Sequence, residues 1–152
     1  MISIRPVRPD DLAAICVHRW KMFADSGVAA ETLDFMAEPF AAWLAPRLAD
    51  RSYFGFVAED DGAVVAGIGL RLIDWPPTPL HPTREMRGYI LNVYIEPAYR
   101  GQGLAAQLMQ RAEEEFRARG VTYQTLHASA MGRPVYEKLG WESTTEMGKA
   151  LL

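Results

Sequence analysis

The sequence has 152 residues, 49% of them hydrophobic and 23% charged, with a formal net charge of -3. Those values suit one globular domain with a single substantial core, and the charge gives no electrostatic reason to expect nucleic acid. The lone cysteine, Cys16, cannot close an internal disulfide, no Cys/His cluster has zinc-site spacing, and no apolar run reaches the roughly 18 residues of a membrane span. Met1 to Pro6 has no signal-peptide core, so a cytoplasmic protein with no metal, nucleic-acid or membrane partner is expected.

Ile2-Ser3-Ile4-Arg5 alternates like an edge strand and is closed by Pro6 and Pro9. Asp10 or Asp11 can cap a helix that carries Leu12, Ile15, Cys16, Arg19, Trp20 and Phe23 and ends near Gly27. Glu31 to Leu48 reads as a second helical region, which Pro39 and Pro46 must interrupt or kink. Tyr53–Ala58 and Val64–Ile73 then read as a hairpin around Glu59-Asp60-Asp61-Gly62, with Gly67 and Gly69 marking a bulge or a close neighbour.

Trp75 to Pro82 holds four prolines in eight residues and is a stiff loop, a candidate wall for a binding site. Tyr89 to Ile95 is a β-branched and aromatic strand stopped by Pro97. Leu104, Leu108, Ala112 and Phe116 recur one helical turn apart, and Gly120 ends that helix. Tyr123–Ala128 is expected as a strand, Ser129 as the cap of a short helix reaching Leu139-Gly140, and Trp141–Met147 as a last strand. With no repeats and no internal linker, residues 1–152 read as one α+β domain.

Between the central strand and its helix lies Arg100-Gly101-Gln102-Gly103-Leu104-Ala105. Gly101 and Gly103 let a ligand approach the backbone, the first helical N–H groups have no internal partner, and Arg100 adds a cation; together these favour an anion such as phosphate. The run fits a dinucleotide fingerprint less well, since no third glycine follows, and a P-loop is excluded because no Gly-Lys-Ser/Thr is present.

Arg100 to Ala105 resembles the Arg/Gln-x-x-Gly-x-Gly/Ala signature of the GNAT superfamily of N-acetyltransferases. A second stretch, Ser129-Ala130-Met131-Gly132-Arg133-Pro134-Val135-Tyr136-Glu137-Lys138-Leu139-Gly140-Trp141, is similar to the GNAT ending Asn-x-x-Ala-x-x-x-Tyr-Glu-Lys-x-Gly-Phe, with Ser129 and Gly132 in place of asparagine and alanine. The resemblance implies the GNAT acyltransferase fold, with a mixed central sheet of about six to seven strands flanked by about four helices. It implies an acetyl-CoA-dependent N-acetyltransferase acting on a primary amine, of a small molecule or a peptide, by direct attack in a ternary complex. It also allows a homodimer.

By that resemblance, Arg100, Gly101, Gln102, Gly103, Leu104 and Ala105 hold the pyrophosphate of acetyl-CoA. Val93 meets the acetyl carbonyl, Ile95 the pantetheine arm and Ser129 the cofactor. Tyr136 delivers a proton to the departing sulfur. An amine of pKa near 10.4 is neutral in only about one part in 2,500 at pH 7, so a base or a desolvated site must offset roughly 4–5 kcal/mol. His127 has the right intrinsic pKa and is the candidate base. Glu85 is the carboxylate alternative, with Asn92 and Tyr94 nearby, and a water chain serves in some relatives. The competing reading is a coenzyme A-binding sensor or partner-binding module without transfer activity.

Overall fold

The computed structural model describes residues Met1–Leu152. Five strands form one sheet in the order β1-β2-β3-β4-β5, comprising β1 (Ile2–Pro6), β2 (Phe54–Asp60), β3 (Ala63–Asp74), β4 (Met86–Ile95) and β5 (Gln124–Leu126). The first four pair antiparallel, and β5 runs parallel to β4, which makes the sheet mixed. Helices α1 (Leu12–Asp25) and α2 (Ala30–Ala49) cover one face. Helix α3 (Leu104–Ala118) covers the other, with the short α4 (Arg133–Lys138) beyond it.

Each face buries a core set by local patterning. Leu104, Leu108, Ala112 and Phe116 are all buried on α3 and meet Phe54, Phe56, Ile68, Leu70 and Ile90 of the sheet. The Phe116 ring lies where a Cβ on Gly88 would sit, 2.7 Å away, so the glycine in β4 lets the helix close on the strand. On the opposite face Ile15, Phe40, Leu44, Leu48 and Tyr53 form the second core. Cys16 packs against it as a small half-buried side chain, its thiol pKa raised by burial.

Asp11 occupies the position before α1, but its carboxylate does not cap that helix. It accepts the Arg8 backbone N–H at 2.7 Å and both terminal nitrogens of Arg5 at 2.8 Å, and Arg5 also reaches Glu59 at 2.7 Å. This buried fork ties β1 and β2 to the start of α1.

Helix α2 runs through Pro39 and Pro46 without a break. Both prolines lie on its exposed side. There water can satisfy the carbonyls that lose their N–H partners, so the cost stays below that of a helix break. The hairpin turn narrows to Asp61 and Gly62, both at positive φ (48° and 81°), the conformation that matches the twist of paired strands.

Trp141–Met147 forms no strand, so the sheet has five strands where six to seven are expected. β5 offers only three paired residues as a template, and every residue from Glu142 to Met147 is exposed, with no alternating apolar face to bury.

One irregularity shapes β4. Its pairing with β3 shifts between Gly67 and Gly69, where one residue of β3 faces two of β4. The extra residue lies on β4, where Asn92 adopts φ 56°. The buried Asn92 side chain donates to the Tyr53 hydroxyl at 3.0 Å and accepts from Arg19 at 2.7 Å. Gly69 leaves room for Tyr53, since a Cβ there would fall 2.1 Å from the hydroxyl. The bulge is therefore held by a side-chain network from α1 and from Tyr53, the residue before β2.

Candidate active site

β4 pairs with β5 only through Gly88, Tyr89 and Ile90. Beyond Ile90 the two strands part, leaving Val93 and Ile95 on the wall of a cleft of about 420 Å³. Its other walls come from the turn after β4, the first turn of α3, the Ser129–Gly132 segment, α4 and the end of α1. Its lining is mostly apolar, with Asp25, Arg100, Ser129 and Lys138 among the polar exceptions.

The turn at the mouth of the cleft is built as its sequence demands. Gly101 and Gly103 have φ values of 78° and 76°, a left-handed conformation that costs other residues about 1–2 kcal/mol. A Cβ on either glycine would meet nothing within 4 Å, so conformation rather than protein crowding selects glycine here. In α3 the Gln107 N–H bonds to the Gly103 carbonyl at 3.1 Å. The N–H groups of Leu104, Ala105 and Ala106 precede that first bond, and all three residues line the cleft. They form a donor set at the positive end of a 15-residue helix, a fit for phosphate oxygens.

Arg100 is more engaged than its sequence suggests. Its Nε donates to the Ile95 carbonyl at 2.8 Å, and its Nη2 pairs with Asp25 at 2.8 Å. The guanidinium also lies 5.4 Å from the Tyr94 ring centroid and 3.9 Å from the Met131 sulfur. Asp25 is 75 residues away in sequence, and no local signal marks it as a cleft residue. Outside the cleft lining, Glu96 pairs with Lys21 at 2.7 Å and faces the buried His18 at 3.4 Å. Burial pushes the His18 pKa down, and Glu96 only partly offsets it.

Tyr136 stands on the far wall, 8% exposed, with its ring against Trp141. Burial alone raises its pKa, which keeps the proton on the hydroxyl at neutral pH. Gly132 lies beneath that ring. A Cβ there would approach the ring to 3.0 Å and the Ser129 Oγ to 3.2 Å, which accounts for glycine at this position. Ser129 Oγ accepts the Gly132 N–H at 3.1 Å and fixes the bend into α4.

Thus Val93, Ile95, Arg100, Gly101, Gly103, Leu104, Ala105, Ser129 and Tyr136 line one cleft. Gln102 and His127 do not. His127 lies on a second, larger groove that shares Tyr136 and Leu139 with the first. There its Nδ1 is hydrogen-bonded to the Tyr89 hydroxyl, beside the point where β4 and β5 part. Glu85 precedes β4 at its far end, roughly 26 Å along an extended strand from Val93, and is exposed; that separation removes it as a direct base.

A mixed sheet whose last two strands, β4 and β5, part beside a glycine-rich helix start has the cleft of a coenzyme A-dependent acyltransferase. The Acetyltransferase (GNAT) family model matches residues 14–141, and the chain belongs to that family. A crystal structure of a GCN5-related N-acetyltransferase from Ralstonia eutropha JMP134 is 51% identical, with 99% of each chain covered and a TM-score of 0.97. A Clostridium acetobutylicum protein, described as a predicted acetyltransferase and solved with acetyl-CoA, is 28% identical, covering 99% of this chain and 96% of that one, at a TM-score of 0.90. PaiA N-acetyltransferase from Thermoplasma acidophilum, solved with coenzyme A, shares the fold at 18% identity and a TM-score of 0.77, with 97% and 94% covered. A comparison with curated proteins finds no match. No helix is long and apolar enough to cross a membrane.

Proposed function

We propose that the protein transfers the acetyl group of acetyl-CoA to a primary amine by direct attack within a ternary complex. The observation that carries this reading is the cleft itself: the edge of β4 that β5 leaves unpaired beyond Ile90 leads into the open N–H groups of α3, with Tyr136 on the opposite wall. The relative solved with acetyl-CoA, at a TM-score of 0.90, supports the choice of ligand.

Acetyl-CoA supplies an activated thioester. The Gly101–Gly103 turn and the N–H groups of Leu104, Ala105 and Ala106 bind its pyrophosphate, with Arg100 adding charge. The strand edge at Val93 and Ile95 pairs with the pantetheine amides as another strand would, and the Val93 N–H receives the carbonyl oxygen as it gains charge. The amine lone pair forms the new C–N bond, the C–S bond breaks, and Tyr136 gives its proton to the sulfur. His127, on the neighbouring groove and held by Tyr89, takes through intervening water the proton that the amine loses.

His127 lies outside the cofactor cleft, which favours the competing reading of a coenzyme A-binding module without transfer. Thiol release from acetyl-CoA, followed across a panel of amines, separates the two. Amine-dependent release with an acetylated product supports the enzyme. Saturable binding with no release above the rate in buffer across the panel supports the module.

A further inference from the structure

Resting on the transfer reading above, we infer that the acceptor amine also carries an anionic group, a carboxylate or phosphate, held by Arg71 and Arg87 on the α1/α2 face of the sheet. Tyr89 is the centre of this face. Arg71 is its direct partner on β3 and Arg87 lies two residues before it on the same face of β4. Burial and then the Glu146 carboxylate raise the Tyr89 pKa, and Arg19 on α1 only partly offsets them. Arg71 and Arg87 are thus diagonal cross-strand neighbours, about 7–8 Å apart in such a pair.

The three cations are held in place but not neutralised. Arg71 stacks on Trp43 at 5.1 Å and Arg87 on Trp75 at 3.6 Å. Arg19 lies over Phe40 at 4.5 Å. Arg71 forms no ion pair, and its Nε and Nη1 are buried without a partner in the protein. The Nε atoms of Arg19 and Arg87 are likewise buried and unpartnered. The one carboxylate in ion-pair range of any of them is Glu146, 3.8 Å from Arg87 and itself 58% exposed.

Burial pushes the Arg71 pKa down; Arg47 lowers it further, and Asp50 only partly compensates. A half-buried guanidinium with spare donors and a like charge beside it is stabilised by an incoming anion. A purely cationic acceptor would instead be repelled.

Position links this anion site to the chemistry. The Tyr89 hydroxyl bonds to His127, the candidate base, so one residue joins the arginines to the proton acceptor. Tyr89 precedes Val93 by roughly 13 Å of extended strand, less the reach of the arginine side chains. The amine is therefore separated from its anion by several bonds, as in a lysine ε-amine, a short peptide or an amino-sugar phosphate.

The test compares matched acceptors: lysine with 1,5-diaminopentane, triglycine with its C-terminal amide, and glucosamine 6-phosphate with glucosamine. In at least one pair the anionic member is expected to show a kcat/KM at least tenfold higher. The first two pairs report a carboxylate and the third a phosphate. Arg71→Met and Arg87→Met, which keep the apolar stem, should abolish that preference, mainly through KM, while acetyl-CoA affinity stays unchanged; Arg71→Lys should restore part of it. If no acceptor is turned over, the same pairs are titrated calorimetrically into the protein–coenzyme A complex, where anion-dependent binding lost in Arg71→Met supports the inference. Equal or better use, or binding, of the anion-free members overturns it. Failure of the folded wild type to bind acetyl-CoA refutes the transfer reading itself, a separate outcome.

Discussion

Replacing Tyr136 by phenylalanine tests the acid role with little structural disturbance. The ring packs against Trp141 at 6.3 Å and over Gly132, while burial is the sole cause of the raised hydroxyl pKa, with no hydrogen-bond contribution. Removing the oxygen leaves the packing and costs no protein hydrogen bond, so stability should change by less than about 0.5 kcal/mol. General acid catalysis is worth about 10²–10⁴-fold, and a thiol of pKa about 8.5 is already a fair leaving group, which argues for the low end. A hundredfold loss of kcat, about 2.7 kcal/mol, is therefore expected, with acetyl-CoA affinity nearly unchanged. The pH dependence has a definite sign. The acid must be protonated, and its pKa is raised, so its contribution persists through neutral pH and is lost as pH rises through that pKa. The assay is initial-rate thiol release with a transferred amine between pH 6 and 11, beside thermal unfolding. A Tyr136→Phe variant within twofold of wild-type kcat, with the same alkaline limb, would refute the role.

Two further outcomes follow from the ion pairs. Burial alone would raise the Asp11 pKa, but the Arg5 fork and the Arg8 N–H outweigh it and the net shift is downward. The stabilisation is thus fully present above the unfolded carboxylate pKa of about 3.9 and is lost as pH falls through the folded value. Asp11→Asn should cost about 2–3 kcal/mol near neutral pH by denaturant titration, less than a fully isolated buried charge because Glu59 still pairs with Arg5. A loss below 0.5 kcal/mol would contradict this account. At the cleft, Asp25→Asn releases the Arg100 guanidinium and removes a negative charge near the phosphate site. The half-exposed pair is worth at most about 1 kcal/mol, so acetyl-CoA should bind up to about fivefold tighter by calorimetry; weaker binding would show that Asp25 positions Arg100 productively.

What was legible in the sequence was what local chemistry determines. The glycines at 101 and 103 require positive φ, the Leu104–Phe116 spacing puts one face of α3 in the core, and both follow from residues adjacent in the chain. Pro39 and Pro46 do not interrupt α2, because a proline's effect depends on which side of the helix faces water, a tertiary fact. The expected strand at Trp141–Met147 failed for want of a partner, since strand propensity counts only where an edge is available. Gly67 and Gly69 did signal a bulge, yet the extra residue is Asn92 on the neighbouring strand, held at positive φ by Tyr53 and Arg19 from elsewhere in the chain. The same limit hid the pairing of Arg100 with Asp25 and the grouping of Arg71, Arg87 and Tyr89, each of which depends on strand register or helix docking.

The most direct measurement is calorimetric titration of acetyl-CoA and coenzyme A into the wild type and Arg100→Glu. In the variant a carboxylate would stand beside Asp25 at the mouth of the cleft, facing the pyrophosphate. Saturable binding of about micromolar affinity, weakened at least tenfold or about 1.4 kcal/mol by the charge reversal, is the predicted result. A folded wild type that binds neither ligand, or a variant that binds both as tightly as the wild type, would contradict the assignment of this cleft to the pyrophosphate.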